Sequence, residues 1–269
     1  MARRAAGESI AVDTGVAELL RDASRRNAFT LLIDGVEHSY VDLDDPRYLV
    51  FEYVHWFGDI VDCLAPDGDP LDTVHLGGGA ATVARYIAAT RPTSQQVVFE
   101  VDAALVSLVR KKLPLPKSRR LRMKVGDARA GVTGLPANAA DLVVRDAFRA
   151  AEVPAHLCTA EFASEVREIL RPDGVYLLNV ADGVPFRNLG ADLAALCDVF
   201  AQLAVVSEPS VFRGRRHGNL VVIASDAPLP IEAIARRVAD GAVQGRVREN
   251  GEARAMARGH RPLHDSDLA

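Results

Sequence analysis

The chain has 269 residues, of which 49% are hydrophobic and 25% are charged, and its formal net charge at pH 7 is −4. This length suits one large domain, or one domain with a small additional module, and allows a sizeable buried core. The slightly negative charge gives no electrostatic reason to expect a nucleic-acid partner, although local basic patches can still bind anions.

The sequence has no segment typical of a membrane span or of a secreted protein. Apolar runs stay shorter than the ~18 residues that cross a bilayer, and the start, MARRAAGESIAVDTG, lacks the apolar core of a signal peptide. Cys63, Cys158 and Cys197 are far apart and form no CxxC pair, so they favour core thiols of a reducing compartment over disulfides or a zinc site. We therefore expect a cytoplasmic protein that has no membrane partner and no metal.

The first third of the chain predicts a small β module and a helix. The runs FTLLIDG and VEHSYVDL predict an antiparallel hairpin within residues 1–45. Residues 46–70 carry apolar side chains at helical spacing, with Asp44 or Asp45 as the N-cap and Pro46 in the first turn. This segment predicts a bridging helix and a linker that connect the module to the main domain.

Strands and helices alternate from residue 71 to about residue 230. The strand candidates are DTVHL, QVVFEV, LRMKVG, DLVVRD, GVYLLNV, a weaker AVVSEPSVF, and NLVVIAS. Continuous apolar runs between helices indicate strands buried on both faces, so we predict an α/β fold with a mainly parallel sheet and helices on both sides. The last two strand candidates have only RGRRHG between them. This short connection predicts an antiparallel pair at the end of the sheet.

Residues 231–269 form the last predicted region. IEAIARRVADG predicts a short helix. The arginine-rich segment from about Gly245 shows little apolar periodicity, so we expect it to be loosely held or partly disordered.

The stretch LDTVHLGGGAATVARYI places Gly77, Gly78 and Gly79 between a strand and a helix. Glycine permits a sharp turn and a close approach to a ligand, and the helix that follows presents unpaired N–H groups. A tight turn without a ligand is the simpler alternative. Thr82 stands where the third glycine of GxGxxG belongs, which argues against a nicotinamide dinucleotide.

Acidic residues follow three successive strands after this loop. Glu100 is suited to accept both hydroxyl protons of a ribose, and Asp102 shares that role or caps the next helix. Asp127 is suited to the exocyclic amine of adenine, with Ala128 as an apolar wall, and Asp146 ends the strand after that. Because carboxylates repel a pyrophosphate, this order favours an adenosyl ligand without phosphate.

Several segments carry a family resemblance: LLIDGVEHSYVDLDDPRYLVFEYV, VHLGGGAATVARYIAA, VVFEVDAALVSLVR, VGDAR and DLVVRDAFRAAEVPAHLCTAEF. From about Phe29 to Ser225 the chain resembles the polyamine aminopropyltransferases, that is, the spermidine synthases and their bacterial relatives. It is identified as a divergent bacterial member of that family. The resemblance implies a small N-terminal β module, a Rossmann-like domain of class I methyltransferase type, and decarboxylated S-adenosylmethionine and a diamine as substrates.

The resemblance also assigns roles to individual residues. It implies that the glycine loop and Glu100 contact the adenosyl group and its ribose, and that Asp127 contacts the adenine. It implies that Asp146 takes the proton from the attacking amine and that Tyr48 lines the amine pocket. By the same analogy, AEVPAHLCTAEF, residues 151–162, forms a gate over the site.

The sequence departs from the family pattern where the amine groups bind. Ala80 stands where the family has the aspartate that holds the aminopropyl amine, and Arg149 replaces a second aspartate of the pattern. His38 replaces a glutamine of the hairpin, and Leu49-Val50 replaces an acid-bearing segment. Because arginine repels a cation, Arg149 and the segment RGRRHG either receive a carboxylate, such as that of intact S-adenosylmethionine, or are solvated loop charges.

Three classes of function therefore stay open. The first is transfer of an aminopropyl group to a small-molecule amine acceptor, with Asp146 as the base. The second is an S-adenosylmethionine-dependent methyltransferase, and the third is a catalytically silent protein that binds adenosyl metabolites. Decarboxylated S-adenosylmethionine or S-adenosylmethionine is the expected co-substrate, and the sequence leaves open whether the protein forms a homodimer.

Overall fold

The computed structural model describes residues 8–149 and 152–268. The first seven residues of the predicted N-terminal segment and Ala151 of the predicted gate lie outside this part. The N-terminal strands are β1 Ser9–Val12, β2 Gly15–Arg21, β3 Ala28–Ile33 and β4 Val36–Asp42. The other strands are β5 Thr73–Leu76, β6 Gln96–Glu100, β7 Leu121–Val125, β8 Ala140–Arg145, β9 Leu170–Asp182, β10 Gln202–Ser207, β11 Gly218–Ser225 and β12 Arg246–Arg248.

Helices connect most of these strands. They are α1 Glu52–Leu64, α2 Thr82–Thr90, α3 Ala103–Lys112, α4 Ala128–Thr133, α5 Ala160–Ile169, α6 Arg187–Cys197, α7 Pro209–Phe212, α8 Ile231–Asp240 and α9 Asn250–Met256. Two 3-10 helices lie at Ala155–Leu157 and Asp265–Asp267.

The N-terminal module is larger than the predicted hairpin. β3 and β4 form that hairpin, and its turn places Asp34 and Gly35 at φ values of 50° and 78°. β2 pairs with β3, and β1 pairs with β2, so the sheet has the order β1-β2-β3-β4. The sequence did not predict β1 and β2, because their residues are mostly half-buried or exposed and show no clean apolar alternation.

The predicted start of the connecting helix is wrong, because α1 begins at Glu52 and not after Asp44 or Asp45. One carboxylate oxygen of Asp42 accepts hydrogen bonds from the N–H groups of Asp44 and Asp45, at 2.9 and 3.1 Å. The N–H of Tyr48 then donates to the carbonyl oxygen of Asp45 at 3.0 Å. These contacts place the aspartates in the turn that ends β4. The helix therefore begins about two turns later in the chain than predicted.

Within the described residues, the main sheet has eight strands in the order β12-β10-β11-β9-β8-β5-β6-β7. The run from β9 to β7 is parallel, and β10 and β11 form the predicted antiparallel pair. Apolar side chains of α1, α2, α3 and α8 pack on one face, and those of α4, α5, α6 and α9 pack on the other. This confirms the Rossmann-like, methyltransferase-type α/β fold with a small N-terminal β module.

The C-terminal segment is ordered, so the predicted loose tail is wrong. β12 pairs with β10, and Ala253 of α9 is fully buried in the core. Arg254 donates to the carbonyl oxygens of Cys197 and Phe200 at 2.9 and 2.7 Å. An arginine that looks solvated in the sequence therefore satisfies the carboxyl end of α6 and its following turn.

The described residues contain neither a helix suited to cross a membrane nor a cluster suited to hold a metal ion. Within 8–149 and 152–268, none of the helices combines the length and the apolar character that crossing a membrane requires. The same residues contain no group of three or more histidine, cysteine, aspartate or glutamate side chains placed to hold a metal ion.

Candidate active site

The glycine loop, residues 77–79, packs tightly between the residues at the end of β8 and the N-terminal sheet. Gly77 has a φ of 94°, and a Cβ atom there would lie 2.3 Å from the carbonyl oxygen of Asp146. Gly79 has a φ of 47°, and its Cβ would lie 2.6 Å from Oγ of Ser39 on β4. Both positions therefore require glycine because of the protein that surrounds them, in addition to any close approach of a ligand.

The N–H groups of this loop are already used within the protein, whereas the unpaired N–H groups expected at the start of the following helix belong to α2. Each N–H from residue 77 to residue 81 donates to a protein acceptor at 2.6–3.1 Å. The acceptors, in chain order, are Phe99 O, Glu100 Oε2 twice, Ser39 Oγ and Gly78 O. Because phosphate sites in such loops use free backbone N–H groups, this loop is not built as a phosphate cradle.

Glu100 binds the glycine loop from the end of β6. Its Oε2 accepts from the N–H groups of Gly78 and Gly79 at 2.9 and 3.0 Å, and its Oε1 accepts from the N–H of Asp102 at 3.1 Å. The residue is 9% exposed. A carboxylate that already joins the two strand ends is fixed in orientation, and its remaining lone pairs can accept from hydroxyl groups.

Asp102 has a structural role in the helix that follows. Its Oδ1 accepts from the N–H of Leu105 at 2.7 Å, which caps α3. Its Oδ2 accepts from both the N–H and the hydroxyl of Thr14, at 2.8 and 2.7 Å. Burial raises the pKa of Asp102, but the hydrogen bonds from Thr14 and Leu105 outweigh it and lower the pKa. With 1% of the residue exposed, the geometry favours the cap over a shared ribose contact.

Asp127 lies at the end of β7 and caps α4. Its Oδ1 accepts from the N–H of Ala130 at 2.9 Å, and its Oδ2 contacts Nε2 of His156 at 2.8 Å. Its side chain remains 42% exposed, so the carboxylate still faces open space. Ala128 is buried in the core, which leaves little of its surface for the apolar wall expected there.

Asp146 follows β8 and is held by two side chains that the sequence did not point to. The hydroxyl of Tyr53 on α1 donates to its Oδ2 at 3.1 Å, and the amide of Asn179 on β9 donates to its Oδ1 at 3.0 Å. Desolvation raises the pKa of Asp146, while the hydrogen bonds from Asn179 and Tyr53 and the charge of His38 oppose this rise. The net effect is a pKa above the ordinary aspartate value.

Two of the four remaining predicted residues, His38 and Tyr48, lie in different surroundings. His38 lies near Asp146 and the glycine loop, since its Nδ1 would be 3.9 Å from a Cβ on Gly79. Tyr48 packs edge-on against Tyr40 and under Arg25, and it is 43% exposed.

Ala80 and Arg149 differ from each other in burial. Ala80 is fully buried, and its N–H donates to Ser39 at 3.1 Å. Arg149 is exposed, and its backbone pairs with that of Glu152. The methyl group of Ala80 therefore packs within the protein, whereas the guanidinium of Arg149 is at the surface.

One of the missed residues had a signal in the sequence. Asn179 is a polar residue in the apolar strand GVYLLNV, near its carboxyl end, where ligand-binding residues collect in such sheets. Tyr53 had no such signal in the sequence, because it continues the apolar face of α1. Its ring contacts that of Phe57 edge-on.

Comparison with known proteins shows the family of the chain. No protein-family model matches it. The crystal structure of a probable spermidine synthase from Corynebacterium glutamicum is similar, with 31% identity, a TM-score of 0.89 and coverage of 96% of both chains. A spermidine synthase in complex with the transition-state analogue AdoDATO shares the fold, with 17% identity, a TM-score of 0.60, and coverage of 93% of this chain and 82% of that one.

Curated relatives match over shorter spans. The polyamine aminopropyltransferase of Vibrio vulnificus is 29% identical over 116 residues, which is 42% of this chain and 38% of the relative. That of Chromobacterium violaceum is 25% identical over 186 residues, which is 69% of this chain and 67% of the relative. The chain thus matches about two fifths and two thirds of these relatives' lengths. Because the Corynebacterium structure is matched over nearly its whole length, the chain belongs to the spermidine synthase family of polyamine aminopropyltransferases.

Proposed function

We propose that this protein transfers an aminopropyl group from decarboxylated S-adenosylmethionine to the nitrogen of a small amine acceptor, with Asp146 as the base. The observation that carries this proposal is the pair of hydrogen bonds that Tyr53 and Asn179 donate to Asp146 at the carboxyl edge of the sheet. Both hold a carboxylate with a raised pKa beside the glycine loop, where a reacting amine can meet it.

The donor side of the proposal depends on two acids and the loop. Glu100 and Asp127 end neighbouring strands, and the loop N–H groups are used internally, which favours an adenosyl group over a phosphorylated nucleotide. Val101 and Val125 stand beside these acids with 64% and 49% of their surfaces exposed. Exposed valines at strand ends offer the apolar contact that a flat adenine ring needs. The AdoDATO complex of a structural neighbour is consistent with an adenosyl donor.

The chemistry follows from the protonation of amines. A free alkylammonium titrates near ~10, so the acceptor arrives charged and its lone pair carries a proton. Asp146 stabilises that charge and takes the proton while the nitrogen forms a bond to the methylene carbon next to the sulfonium. The carbon–sulfur bond breaks, its electron pair stays on sulfur, and the products are the aminopropylated amine and neutral methylthioadenosine.

The amine end of the donor is held differently from the family pattern. Since Ala80 is fully buried and carries no charge, its side chain offers the aminopropyl ammonium no ion pair. Arg149 adds a positive charge at the surface in place of the family's second aspartate. We therefore propose that Asp146 carries most of the electrostatic stabilisation of the amines, and we expect weak amine binding.

Calorimetric titration with decarboxylated S-adenosylmethionine, intact S-adenosylmethionine and methylthioadenosine tests this proposal. We expect the decarboxylated donor and methylthioadenosine to bind more tightly than intact S-adenosylmethionine, because the carboxylate of the intact donor faces Asp146. Tighter binding of the intact form would favour a methyltransferase instead. Equal and weak binding of all three would remove both enzyme functions.

A further inference from the structure

The last residues of the chain dock beside the segment that follows β8. The carbonyl oxygen of Leu263 accepts from the N–H of Ala160 at 2.9 Å, and Leu263 forms a parallel bridge with Thr159. His264 and the N–H of Asp265 both contact the carboxylate of Glu161, at 3.0 and 3.1 Å. We call residues 260–268 the C-terminal strap, because these contacts fix them across the start of α5.

Arg129 of α4 joins the C-terminal strap to the residues before α5. Its guanidinium pairs with both carboxylate oxygens of Asp265 at 2.6 and 2.7 Å, and with the carboxylate of Glu165. The same guanidinium donates to the carbonyl oxygen of His156 at 3.4 Å. With its side chain 18% exposed, Arg129 is a fixed link and not a mobile surface charge.

His156 completes the connection to the nucleoside side of the site. Its Nε2–H donates to Oδ2 of Asp127 at 2.8 Å, while the N–H of Ala130 holds Oδ1 at 2.9 Å. Each carboxylate oxygen thus has at least one protein donor and keeps further lone pairs. The plane and direction of the carboxylate are fixed before any ligand arrives.

We infer that His156 is a positioning residue for the donor's adenine amino group, acting through Asp127, and that the C-terminal strap holds His156 in place through Asp265 and Arg129. The inference rests on the proposed adenosyl donor, since it needs an exocyclic amine that donates to Asp127. It assigns a role in donor recognition to a segment whose composition alone indicates solvated charges. A carboxylate aimed in advance binds an amino group without first losing rotational freedom.

Paired titrations with methylthioadenosine and its 6-oxo analogue methylthioinosine test this inference, because the analogue lacks the amino group. In His156→Ala we expect the Kd for methylthioadenosine to rise ~10-fold, the scale of a lost hydrogen bond to a charged group, and the Kd for methylthioinosine to stay unchanged. His156→Gln retains an N–H donor and should recover most of the affinity. Asp265→Asn should shift the same preference by a smaller factor.

Arg261→Gln is the matched control for Asp265→Asn, because Arg261 belongs to the same strap and pairs with Asp267. It should leave both Kd values unchanged. Amide hydrogen exchange of residues 152–160 should become faster in Asp265→Asn and not in Arg261→Gln. Equal weakening of the two nucleosides, or unchanged binding in His156→Ala, would overturn the inference while leaving the donor site intact. If the unmodified protein bound neither nucleoside, the proposed donor site would fail and the inference with it.

Discussion

The hydroxyl of Tyr53 donates a hydrogen bond to Oδ2 of Asp146 at 3.1 Å and so connects the first turn of α1 to the end of β8. The pKa of Tyr53 rises well above its ordinary value, because burial and the nearby Asp146 carboxylate disfavour the phenolate. Tyr53 therefore stays a donor at every pH at which an enzyme of this kind works. It can hold Asp146, the proposed base, without competing with it for a proton.

The carboxylate of Asp146 is the group whose loss should reduce turnover while leaving nucleoside binding nearly intact. In Asp146→Asn we expect kcat to fall ~10²- to 10⁴-fold, the range of general-base contributions, because the acceptor's proton has no partner. The Kd of methylthioadenosine should change little. Asp198→Asn, an exposed acid after α6, is the control and should keep full turnover. Loss of nucleoside binding in Asp146→Asn, with turnover falling in proportion, would assign Asp146 to the donor site.

Tyr53→Phe should move the acidic limb of the pH–rate profile. Asp146 must be ionised to accept a proton, so kcat/KM falls as the pH falls through its pKa, which desolvation raises above the ordinary 3.8. The hydrogen bond from Tyr53 lowers that pKa, and its removal raises the pKa further, so the limb should shift to higher pH.

A matched phenol elsewhere on the fold controls for general effects of this change. Tyr86→Phe removes a hydroxyl that contacts Asp62 at 2.9 Å and should leave the profile unchanged. Profiles of kcat/KM for the three proteins check the shift. A limb that moves to lower pH in Tyr53→Phe would contradict the assignment of Asp146 as the titrating base.

Gly77 should tolerate no side chain. A Cβ there would lie 2.3 Å from the carbonyl oxygen of Asp146, and the φ of 94° is itself unfavourable for alanine. We expect Gly77→Ala to lower the free energy of unfolding by about 2–5 kcal/mol, from backbone strain and overpacking. Gly126→Ala is the control, since a Cβ at Gly126 would meet no atom within 4 Å. Urea denaturation compares the two, and equal stability would contradict the close packing of the loop.

Arg254 should contribute to stability, although it lies in the segment that the sequence predicts to be loose. It donates to the carbonyl oxygens of Cys197, Phe200 and Ala201, so Arg254→Ala leaves those acceptors with fewer partners. We expect a loss of about 1–3 kcal/mol in the free energy of unfolding. Arg258→Ala, at an exposed position two residues after α9, should cost much less. Identical denaturation midpoints for the two variants would mean that the segment is loose after all.

Most strands of the main sheet were predictable because their signals are local, whereas β12 lies in the segment that the sequence predicts to be loose. Continuous apolar runs such as DLVVRD and NLVVIAS need no knowledge of their neighbours, and the acids after them fall at the expected edge. The start of α1 was not predictable, because Asp42 competes for the N–H groups that a cap at Asp44 or Asp45 would leave to the helix. Arg254 and Asp265 likewise have partners 57 and 136 residues away in the sequence, which no local pattern indicates.

The candidate site likewise contains residues that the sequence predicts and partners that it does not. Glu100, Asp127 and Asp146 each follow a strand, so their position could be predicted from the order of elements, while their roles stay predictions. The partners that orient them come from other parts of the fold: Tyr53 from the helix that follows the N-terminal sheet, and His156 from the segment after β8. The wedging of the glycine loop against Ser39 also depends on how the N-terminal sheet packs.

Product analysis is the most direct test of the proposed aminopropyl transfer with Asp146 as the base. The protein is incubated with decarboxylated S-adenosylmethionine and putrescine, and in parallel with intact S-adenosylmethionine and putrescine, and the nucleoside products are separated by liquid chromatography with mass detection. We expect methylthioadenosine and an equal amount of aminopropylated amine from the decarboxylated donor, with both strongly reduced in Asp146→Asn. Release of S-adenosylhomocysteine from the intact donor, with no methylthioadenosine from the decarboxylated one, would contradict it.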